Sequence, residues 1–552
     1  MRLHRPILAA VAAALFLSGP LGAQELMRPD VTGRSAALTS DHSLATAAGA
    51  EVLRRGGNAV DAAIAMAGVL AVVRPHMNGV GGDLFMLYRE AKSGRVYALN
   101  GSGGAGSGAT PQAFAAKGLT QVPGTGIMSV SVPGAVRAWE DALRRFGTTT
   151  LAQALAPGIR YAEGGFAVST RLSLDIGAEE RKVANDPELA RTFLVNGKAP
   201  VPGTLLVQKD LAATLRRIAT GGAASLYTGP LANTIGGFIQ REGGFVTVAD
   251  LGRHRSEWTD PIRTTYLEKT VLAFPPNTQG VTFLQMLNLA SQEDVTAMGR
   301  NSADYIHTLV EGAKLAYADR DRLVADPRTV AVPTDRLLSM DYARELARRI
   351  RRDTVVAPTA GAGRDGNGDT VYLCVIDKDG NAVSLIQSLF ASFGSGRMVP
   401  GTGIVLHNRG SLYELDAAHP NIIAPGKRPF HTLSPAMVLN ADGSVAMVLG
   451  TPGGDGQPQT LMQILNNVLR FGLTPQQAVE AARWRVFGGG RVGVEPGIDE
   501  GVRKALNAKG HPVQVQPPSA EFGGAQMIYV HPRSRTLWVG SDFRREAFGL
   551  AW

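Results

Sequence analysis

The stretch GNGDTVYLCVIDKDGNAVSLIQS, residues 366–388, contains two apolar segments joined by a tight turn. Residues 371–376 and 382–387 are rich in valine, leucine and isoleucine, and Asp379-Gly380 between them is a strong hairpin signal. Both segments are almost continuously apolar, which is typical of strands covered on both faces. The stretch therefore predicts a β-hairpin inside a buried sheet.

The length of the turn decides which residues of the hairpin face each other. A two-residue turn would place Thr370 opposite Leu389. A three-residue loop that ends at a left-handed Gly380 would instead place Thr370 opposite Ser388, with the two hydroxyls on one face and their Cβ atoms about 5 Å apart. Because threonine is also a common strand residue, this pairing alone does not establish chemistry.

A glycine-rich stretch, APTAGAGRDGNGD at residues 357–369, leads directly into the hairpin. Polar, glycine-rich segments are usually exposed linkers and are common sites of chain cleavage. A buried strand that begins directly after such a segment is an unusual junction.

Helical and strand patterns alternate along the rest of the chain, and no repeat of 20 to 50 residues is present. Helices are predicted at 44–55, 59–72, 135–145, 302–320, 341–351 and 475–482. Further strands are predicted at 85–88, 96–99, 446–449 and 527–530. This mixture indicates an α/β or α+β architecture.

The composition is that of a globular protein, with 44% hydrophobic and 19% charged residues over 552 positions. The formal net charge is +9. The lysines and arginines are scattered, and short clusters such as Arg348-Arg349 and Arg544-Arg545 are not interleaved with aromatic residues. This pattern favours a solvated surface over a nucleic-acid-binding surface, so no nucleic-acid partner is expected.

The first 23 residues have the organisation of a secretory signal peptide. Arg2 and Arg5 precede an apolar segment at 7–17, which is too short to span a bilayer, and a cut after Ala23 is expected. Leu21 is a poor residue for such a cleavage site, and an uncleaved N-terminal tether is the alternative. We expect a periplasmic or secreted protein without a membrane contact once the signal is removed.

Cys374 is the only cysteine, so no disulfide can form within the chain. It lies in an apolar segment without a neighbouring histidine or arginine, which favours a buried, unreactive side chain. The sequence has no HxxEH motif and no histidine–carboxylate cluster at metal-ligand spacing, which disfavours a metal-dependent amidase. We expect neither a metal nor another cofactor.

Nine motifs occur in order over about residues 28–545. They are GGNAVDAAIA (56–65), NGVGGD (78–83), SVSVPGAVRAWEDAL (129–143), FPPNTQGVTFLQMLN (274–288), YADRDR (317–322), GDTVYLCVIDKDGNAVSLIQS (368–388), FGSGRMVPGTGIVLHNRG (393–410), APGKRPFHTLSPAM (424–437) and GTPGGDGQPQ (450–459). Together they resemble the γ-glutamyltranspeptidase family of N-terminal nucleophile hydrolases.

The resemblance implies an α+β fold, a four-layer αββα sandwich that is made as a proenzyme and cuts itself before a threonine. The matching cleavage site is the bond between Asp369 and Thr370. Cleavage would give a large subunit, 24–369, and a small subunit, 370–552, which together form one globular heterodimer.

The resemblance also implies roles for individual residues. Thr370 would be the nucleophile, first towards the Asp369 carbonyl and then towards substrate, with its liberated α-amine as base. Ser388 matches a family threonine that hydrogen-bonds the nucleophile. Gly453 and Gly454 match the oxyanion-hole glycines, whose backbone N–H groups can converge on one point.

The substrate pocket departs from the family pattern. Family members bind the α-carboxylate of a γ-glutamyl group with an arginine, and that position is Ser102 here. Other positions that hold polar or acidic groups in the family are Arg409, Leu412, Phe390, His431 and Thr432. The segment between Arg409 and Lys427 is also short, which implies an open pocket.

These departures leave several interpretations open. Phe390 and Leu412 would make the pocket more apolar, and Arg409 would either bind an acid of the substrate or form a surface salt bridge. His431 is either a proton donor or ligand, or a structural residue, and a lone histidine favours the last of these.

The sequence thus predicts a self-processing amidohydrolase that cleaves γ-glutamyl amides such as glutathione through a threonyl acyl-enzyme, with hydrolysis favoured over transfer. One alternative is an acylase for another acyl amide, such as a glutaryl amide, because the partner for the substrate ammonium is missing. The other alternative is a catalytically silent relative that acts as a binding protein.

Overall fold

The computed structural model describes residues 28–356 and 368–552. The expected signal peptide and most of the glycine-rich stretch, 357–367, lie outside the described residues. Within them, no helix is both long and apolar enough to cross a membrane.

Two seven-stranded antiparallel sheets form the centre of the protein. The strands are β1 Val31–Gly33, β2 Ala37–Ser40, β3 Asp83–Arg89, β4 Val96–Gly101, β5 Phe166–Ala167, β6 Leu205–Leu206, β7 Glu257–Thr259, β8 Ile262–Tyr266, β9 Lys269–Ala273, β10 Gly368–Ile376, β11 Ala382–Ala391, β12 Met398–Val399, β13 Ile404–Val405, β14 Ala436–Leu439, β15 Val445–Gly450, β16 Trp484–Val486, β17 Val492–Val494, β18 Val513–Val515, β19 Gln526–Val530, β20 Leu537–Ser541 and β21 Phe548–Ala551. Sheet I has the order β21-β2-β10-β11-β3-β4-β7, and sheet II has the order β1-β20-β19-β15-β14-β9-β8.

The described residues form nineteen α-helices, and several of them cover the outer faces of the two sheets. They are α1 Ser43–Arg54, α2 Ala59–Val73, α3 Pro111–Ala115, α4 Ala135–Phe146, α5 Leu151–Gly164, α6 Thr170–Ala178, α7 Glu180–Ala184, α8 Pro187–Phe193, α9 Lys209–Gly221, α10 Ala224–Tyr227, α11 Pro230–Arg241, α12 Val248–Arg253, α13 Gly280–Ala290, α14 Ala303–Leu323, α15 Thr334–Leu337, α16 Met340–Ala347, α17 Gln457–Leu469, α18 Pro475–Glu480 and α19 Glu500–Ala508. Helix α2 packs on β10 and β11, and α13 packs on β8 and β9.

Three apolar cores lie between these layers and hold them together. One core joins sheet I to the helices around α2 and includes Leu70 and Val371, and a second joins sheet II to α13 and α17. The third lies between the sheets and contains Phe85, Ile386 and Ile528. The order helix, sheet, sheet, helix confirms the αββα sandwich and the α+β class.

The strands β10 and β11 pair in the register predicted for a three-residue loop between them. Val371 pairs with Gln387 and Ile376 with Ala382, and Gly380 has a φ of 82° in the loop. Every residue from Val371 to Ile376 is buried, and Cys374 is buried between the sheets. The prediction of a buried cysteine is therefore confirmed, and burial raises the pKa of the Cys374 thiol.

The other predicted helices and strands occur, with small differences at their ends. Helices 44–55 and 59–72 correspond to α1 and α2, and the strand at 446–449 corresponds to β15. The predicted helix 341–351 ends earlier, at Ala347. Four arginines lie within 348–352, and like charges one turn apart destabilise a helix.

The two sheets are in close contact where Gly450 meets Tyr372. An added Cβ at Gly450 would lie 2.1 Å from the Tyr372 ring, so only glycine fits at the end of β15. The Tyr372 hydroxyl also hydrogen-bonds Ser384 over 2.7 Å. This contact fixes the distance between β10, which begins at the cleavage site, and the glycine loop after β15.

We expect Gly450→Ala to destabilise the protein by about 1–3 kcal/mol, because the new methyl group overpacks a closed contact. Thermal unfolding followed by calorimetry measures the effect. Gly124→Ala is the matched control, since a Cβ there meets no atom within 4 Å. Equal unfolding temperatures for the two variants would contradict the close approach of the sheets.

Candidate active site

Thr370 and Ser388 lie next to each other in the hairpin. Thr370 Oγ1 donates a hydrogen bond to Ser388 Oγ over 3.2 Å, and both side chains are buried. Because side chains alternate along a strand, Thr370 shares the face of Tyr372, which is turned towards sheet II. The three-residue loop thus places both hydroxyls on one face, between the sheets.

A β-bulge in β11 lies opposite Thr370. Asp369 pairs with Phe390 and Val371 with Gln387, so two residues of β11 face the single Thr370. Phe390 has a φ of 78°, a conformation that costs a non-glycine residue about 1 kcal/mol or more. This bend turns the Phe390 N–H back towards Ser388 Oγ, to which it donates over 2.7 Å.

The Ser388 hydroxyl uses its full hydrogen-bonding capacity. It accepts from Thr370 Oγ1 and from the Phe390 N–H, and it donates to the Asp369 carbonyl oxygen over 2.7 Å. A hydroxyl has one proton and two lone pairs, so these three contacts leave it one orientation. Its proton is therefore directed at the carbonyl of the predicted scissile bond.

Gly453 and Gly454 lie directly beside this bond. They follow β15 with φ values of 124° and 55°, and an added Cβ on Gly368 would lie 2.6 Å from Gly454 Cα. No acceptor among the described residues is bonded to the N–H groups of Gly453 or Gly454. Two free backbone donors next to the cleavage site are what an oxyanion hole requires.

A cavity of about 360 Å³ opens beside the predicted cleavage site. Its walls include Gly368, Asp369 and Gly453, and they carry charges of both signs, among them Arg171 and Asp175. The Asp369 carboxylate accepts a hydrogen bond from Arg545 Nη2 over 2.9 Å. The cavity therefore gives a polar approach to the predicted cleavage site from this side.

Asp83 lies at the centre of a second buried group of charges. Its Oδ2 is 3.2 Å from His407 Nδ1, 3.0 Å from His431 Nε2 and 3.3 Å from Arg409 Nε. All four side chains are fully buried. In the register of sheet I, Asp83 pairs with Ser388, so this group of charges is directly beside the two hydroxyls.

The environment fixes the charges in this group. Burial alone would raise the pKa of Asp83, but His407 and His431 hold it well below its usual value. Burial and then the Arg409 charge lower the pKa of His431 to about 3, whereas burial lowers the pKa of Arg409 only to about 10. At neutral pH, Asp83 and Arg409 are therefore charged and His431 is neutral, as a structural histidine would be.

Arg409 is the side chain that joins the predicted pocket residues. Its guanidinium stacks on the Phe390 ring at 4.6 Å, and its Nη1 donates to Thr432 Oγ1 over 3.2 Å. Its Nη2 has no hydrogen-bond partner among the described residues. The alternative of a solvated surface salt bridge is wrong, because Arg409 is fully buried.

Among the described residues, two predicted pocket side chains make no hydrogen bond to this group. Ser102 lines a different cavity, of about 590 Å³, together with His254 and Arg428. Leu412 is buried in the apolar core beside sheet II. The structure thus brings together Thr370, Ser388, Gly453, Gly454, Phe390, Arg409, His431 and Thr432. Ser102 directly follows Gly101, which pairs with Leu84, so Ser102 lies next to Asp83 across the sheet, but its hydroxyl has no hydrogen-bond partner among the described residues.

The sequence interpretation missed Asp83 and Arg545. Asp83 ends the NGVGGD motif, and a carboxylate directly before a strand of apolar residues was the available signal. The interpretation of Arg544-Arg545 as solvated surface was wrong, because both side chains are buried. Their acidic partners, Asp542, Glu495 and Asp369, lie partly far away in the chain, where local sequence does not reveal them.

Comparison with known proteins gives consistent matches. The family model described as Gamma-glutamyltranspeptidase matches residues 45–552. A glutathione hydrolase-like YwrD proenzyme of Bacillus subtilis is 41% identical, covering 89% of this chain and 93% of its own, and an oxamate amidohydrolase proenzyme of Klebsiella pneumoniae is 37% identical, covering 89% and 94%. The crystal structure of cephalosporin acylase from Bacillus halodurans superimposes with a TM-score of 0.90 and 37% identity, covering 97% and 98% of the two chains.

We expect Asp83→Asn to destabilise the protein by about 3–5 kcal/mol, because it leaves the buried Arg409 charge without a counter-ion. The double variant Asp83→Asn/Arg409→Met should recover most of this loss. Thermal unfolding at neutral pH gives the comparison. Asp260→Asn is the control, since the Asp260–Arg95 pair is exposed and should not contribute measurably to the stability of the fold. A double variant as unstable as the single one would contradict the charge pairing.

Proposed function

Because the chain belongs to the gamma-glutamyltranspeptidase family, we propose that it is a self-processing amidohydrolase in which Thr370 is the nucleophile. The chain is an enzyme of the N-terminal nucleophile hydrolase type, and its relatives are named as proenzymes. The observation that carries the proposal is the pair of hydrogen bonds that Ser388 makes with the Thr370 hydroxyl and the Asp369 carbonyl.

These two hydrogen bonds support a proton relay for self-cleavage. As Thr370 Oγ1 bonds to the Asp369 carbonyl carbon, its proton passes to Ser388 Oγ, and the Ser388 proton passes to the carbonyl oxygen. The C–N bond then breaks as the proton on the former carbonyl oxygen is transferred to the Thr370 nitrogen and the C=O bond re-forms. This leaves an ester, and water hydrolyses that ester. The products are the Asp369 carboxylate and a free α-amine on Thr370.

The liberated amine would prepare Thr370 for turnover. With an ordinary pKa of about 7.7–8.0, an α-amine can accept the proton of its own hydroxyl. The Gly453 and Gly454 N–H groups would stabilise the oxyanion of the substrate, each by about 3 kcal/mol. Water would resolve the acyl-enzyme, and hydrolysis would outweigh transfer to another amine.

The products of cleavage define the mature protein. Fragments 24–369 and 370–552 would remain together as a heterodimer, because β10 pairs with β2 of the large fragment and with β11 of the small one. The organisation of residues 1–23 supports export to the periplasm or the exterior.

Arg409 supports an acyl group that ends in a carboxylate. Its unpartnered Nη2 and its stacking on Phe390 present a guanidinium edge and an apolar surface close to Ser388. An ammonium group would need a free acid, but Asp83 already contacts His407, His431 and Arg409. The site therefore favours the amide of a dicarboxylic acid, such as a glutaryl amide.

A γ-glutamyl amide such as glutathione is the second candidate substrate. Asp83 Oδ1 has no hydrogen-bond partner among the described residues and offers one acceptor to an ammonium. The relatives include a glutathione hydrolase-like protein and an acylase, which is compatible with either acyl group. A catalytically silent binding protein is the alternative from another class, and it predicts an uncut chain.

Thr370→Ala should abolish self-cleavage, because it removes the attacking oxygen, and Thr370→Ser should retain it. A denaturing gel should show two fragments for the wild type and for Thr370→Ser, and one band for Thr370→Ala. Mass spectrometry should find Thr370 at the new N-terminus. Two fragments from Thr370→Ala would indicate an outside protease and would remove the basis of the proposal.

We expect the wild type to hydrolyse glutaryl-p-nitroanilide faster than γ-glutamyl-p-nitroanilide. Arg409→Lys should lower kcat/KM for the glutaryl substrate about 10- to 100-fold, since lysine keeps the charge but loses the planar fork. Butyryl-p-nitroanilide, which has no terminal carboxylate, is the control substrate and should be affected much less. An equal loss on both substrates would contradict carboxylate binding, and rapid hydrolysis of glutathione would favour the second candidate.

A further inference from the structure

Arg545 has one oxygen partner among the described residues, and that partner belongs to the cleavage site. Its side chain is 1% exposed, and its Nη2 donates to Asp369 Oδ1 over 2.9 Å. Its Nε has no partner, and its Nη1 is 3.9 Å from the Met77 sulfur. The Asp369 side chain is also largely buried, at 15% exposure.

Other acids near Arg545 are already engaged. Asp41 accepts from the Tyr372 N–H over 2.8 Å and from Gln526 over 2.7 Å. Asp175 is bound to Arg74, Arg171 and His76. Asp41 and Asp175 therefore attract the positive charge of Arg545 only at longer range. The counter-ion that is hydrogen-bonded to Arg545 is Asp369.

The chemistry of cleavage creates an electrostatic problem at Asp369. Attack by Thr370 places electron density on the Asp369 carbonyl oxygen, and the ionised side chain of the same residue is only a few ångströms away. In a site with little water, the carboxylate strongly opposes the electron density that builds on this oxygen before the Ser388 proton has reached it. Ser388 supplies a proton to the oxygen, but it does not neutralise the carboxylate.

We propose that Arg545 is a positioning residue for self-cleavage, which neutralises the Asp369 carboxylate and holds the scissile carbonyl against Ser388 and Thr370. This inference rests on the proposed self-processing and adds a residue to it. Arg545 fixes the Asp369 side chain, the Ser388 hydroxyl fixes its carbonyl oxygen, and pairing with Phe390 fixes its backbone. Three constraints on one residue leave the carbonyl little freedom to turn away from Thr370.

The rate of self-cleavage tests this role directly. The full chain is made by cell-free translation, and the appearance of the fragment that begins at Thr370 is followed by denaturing gel and mass spectrometry. We expect Arg545→Gln to slow cleavage about tenfold or more, because an unpaired carboxylate then lies beside the forming oxyanion. Arg545→Lys keeps the charge and should cut within about threefold of the wild type.

A double variant separates the charge effect from a structural one. In an Asp369→Asn background there is no carboxylate to neutralise, so Arg545→Gln should change the rate less than about threefold. Arg171→Gln is the matched control, since Arg171 lines the same cavity but pairs with Asp175. Thermal unfolding in the uncut Thr370→Ala background shows whether each variant folds.

The outcomes distinguish this inference from the proposed function. Folded Arg545→Gln that cuts at the wild-type rate overturns the role of Arg545 and leaves the nucleophile assignment intact. The role is also overturned if Arg545→Gln slows self-cleavage equally with and without the Asp369 carboxylate. It is overturned as well if Arg545→Lys folds but cuts itself as slowly as Arg545→Gln. If Arg545→Gln does not fold, the Lys variant and the double variant decide. A wild-type chain that stays intact defeats both proposals.

Discussion

The Ser388 hydroxyl is the group on which the geometry of the site depends. It has one proton and two lone pairs, and the structure assigns all three to the Asp369 carbonyl, Thr370 and Phe390. This orientation depends on the bulge in β11 and on the left-handed Phe390, while the three-residue loop sets the register between Val371 and Ile376. A shift of the register by one residue would separate the two hydroxyls.

Buried charge is the second constraint, and the protein meets it by pairing each arginine near the site with a carboxylate. Arg409 is paired with Asp83, and Arg545 is paired with Asp369. A buried ion pair adds little net stability, but loss of one partner is expensive. The pairs therefore serve mainly to hold each guanidinium in one place, and the free edge of Arg409 is available because Asp83 contacts only its Nε.

The sequence predicted the parts of the structure that depend on local pattern. Hydrophobic periodicity identified the hairpin and helices α1 and α2, and turn chemistry narrowed the register to two alternatives. Asp83 and Arg409 are 326 residues apart, and Asp369 and Arg545 are 176 apart. No local rule connects such residues, which is why Arg544-Arg545 resembled exposed charge and why Asp83 was missed. Motif order predicted the fold, whereas the pairing of buried charges required the structure.

The same threonine would carry out two reactions, and the groups proposed to stabilise the two oxyanions are different. In the intact chain, the Ser388 proton is directed at Asp369, whereas the Gly453 and Gly454 N–H groups have no acceptor among the described residues. Once the bond is cut, the Asp369 carbonyl is no longer tied to Thr370, and Ser388 can turn its proton elsewhere. The glycine donors, fixed by the contact of β15 with Tyr372, do not have to move. A rotating hydroxyl therefore suits the reaction that occurs once, and rigid backbone donors suit the reaction that repeats, since preorganised donors need no reorganisation at each turnover.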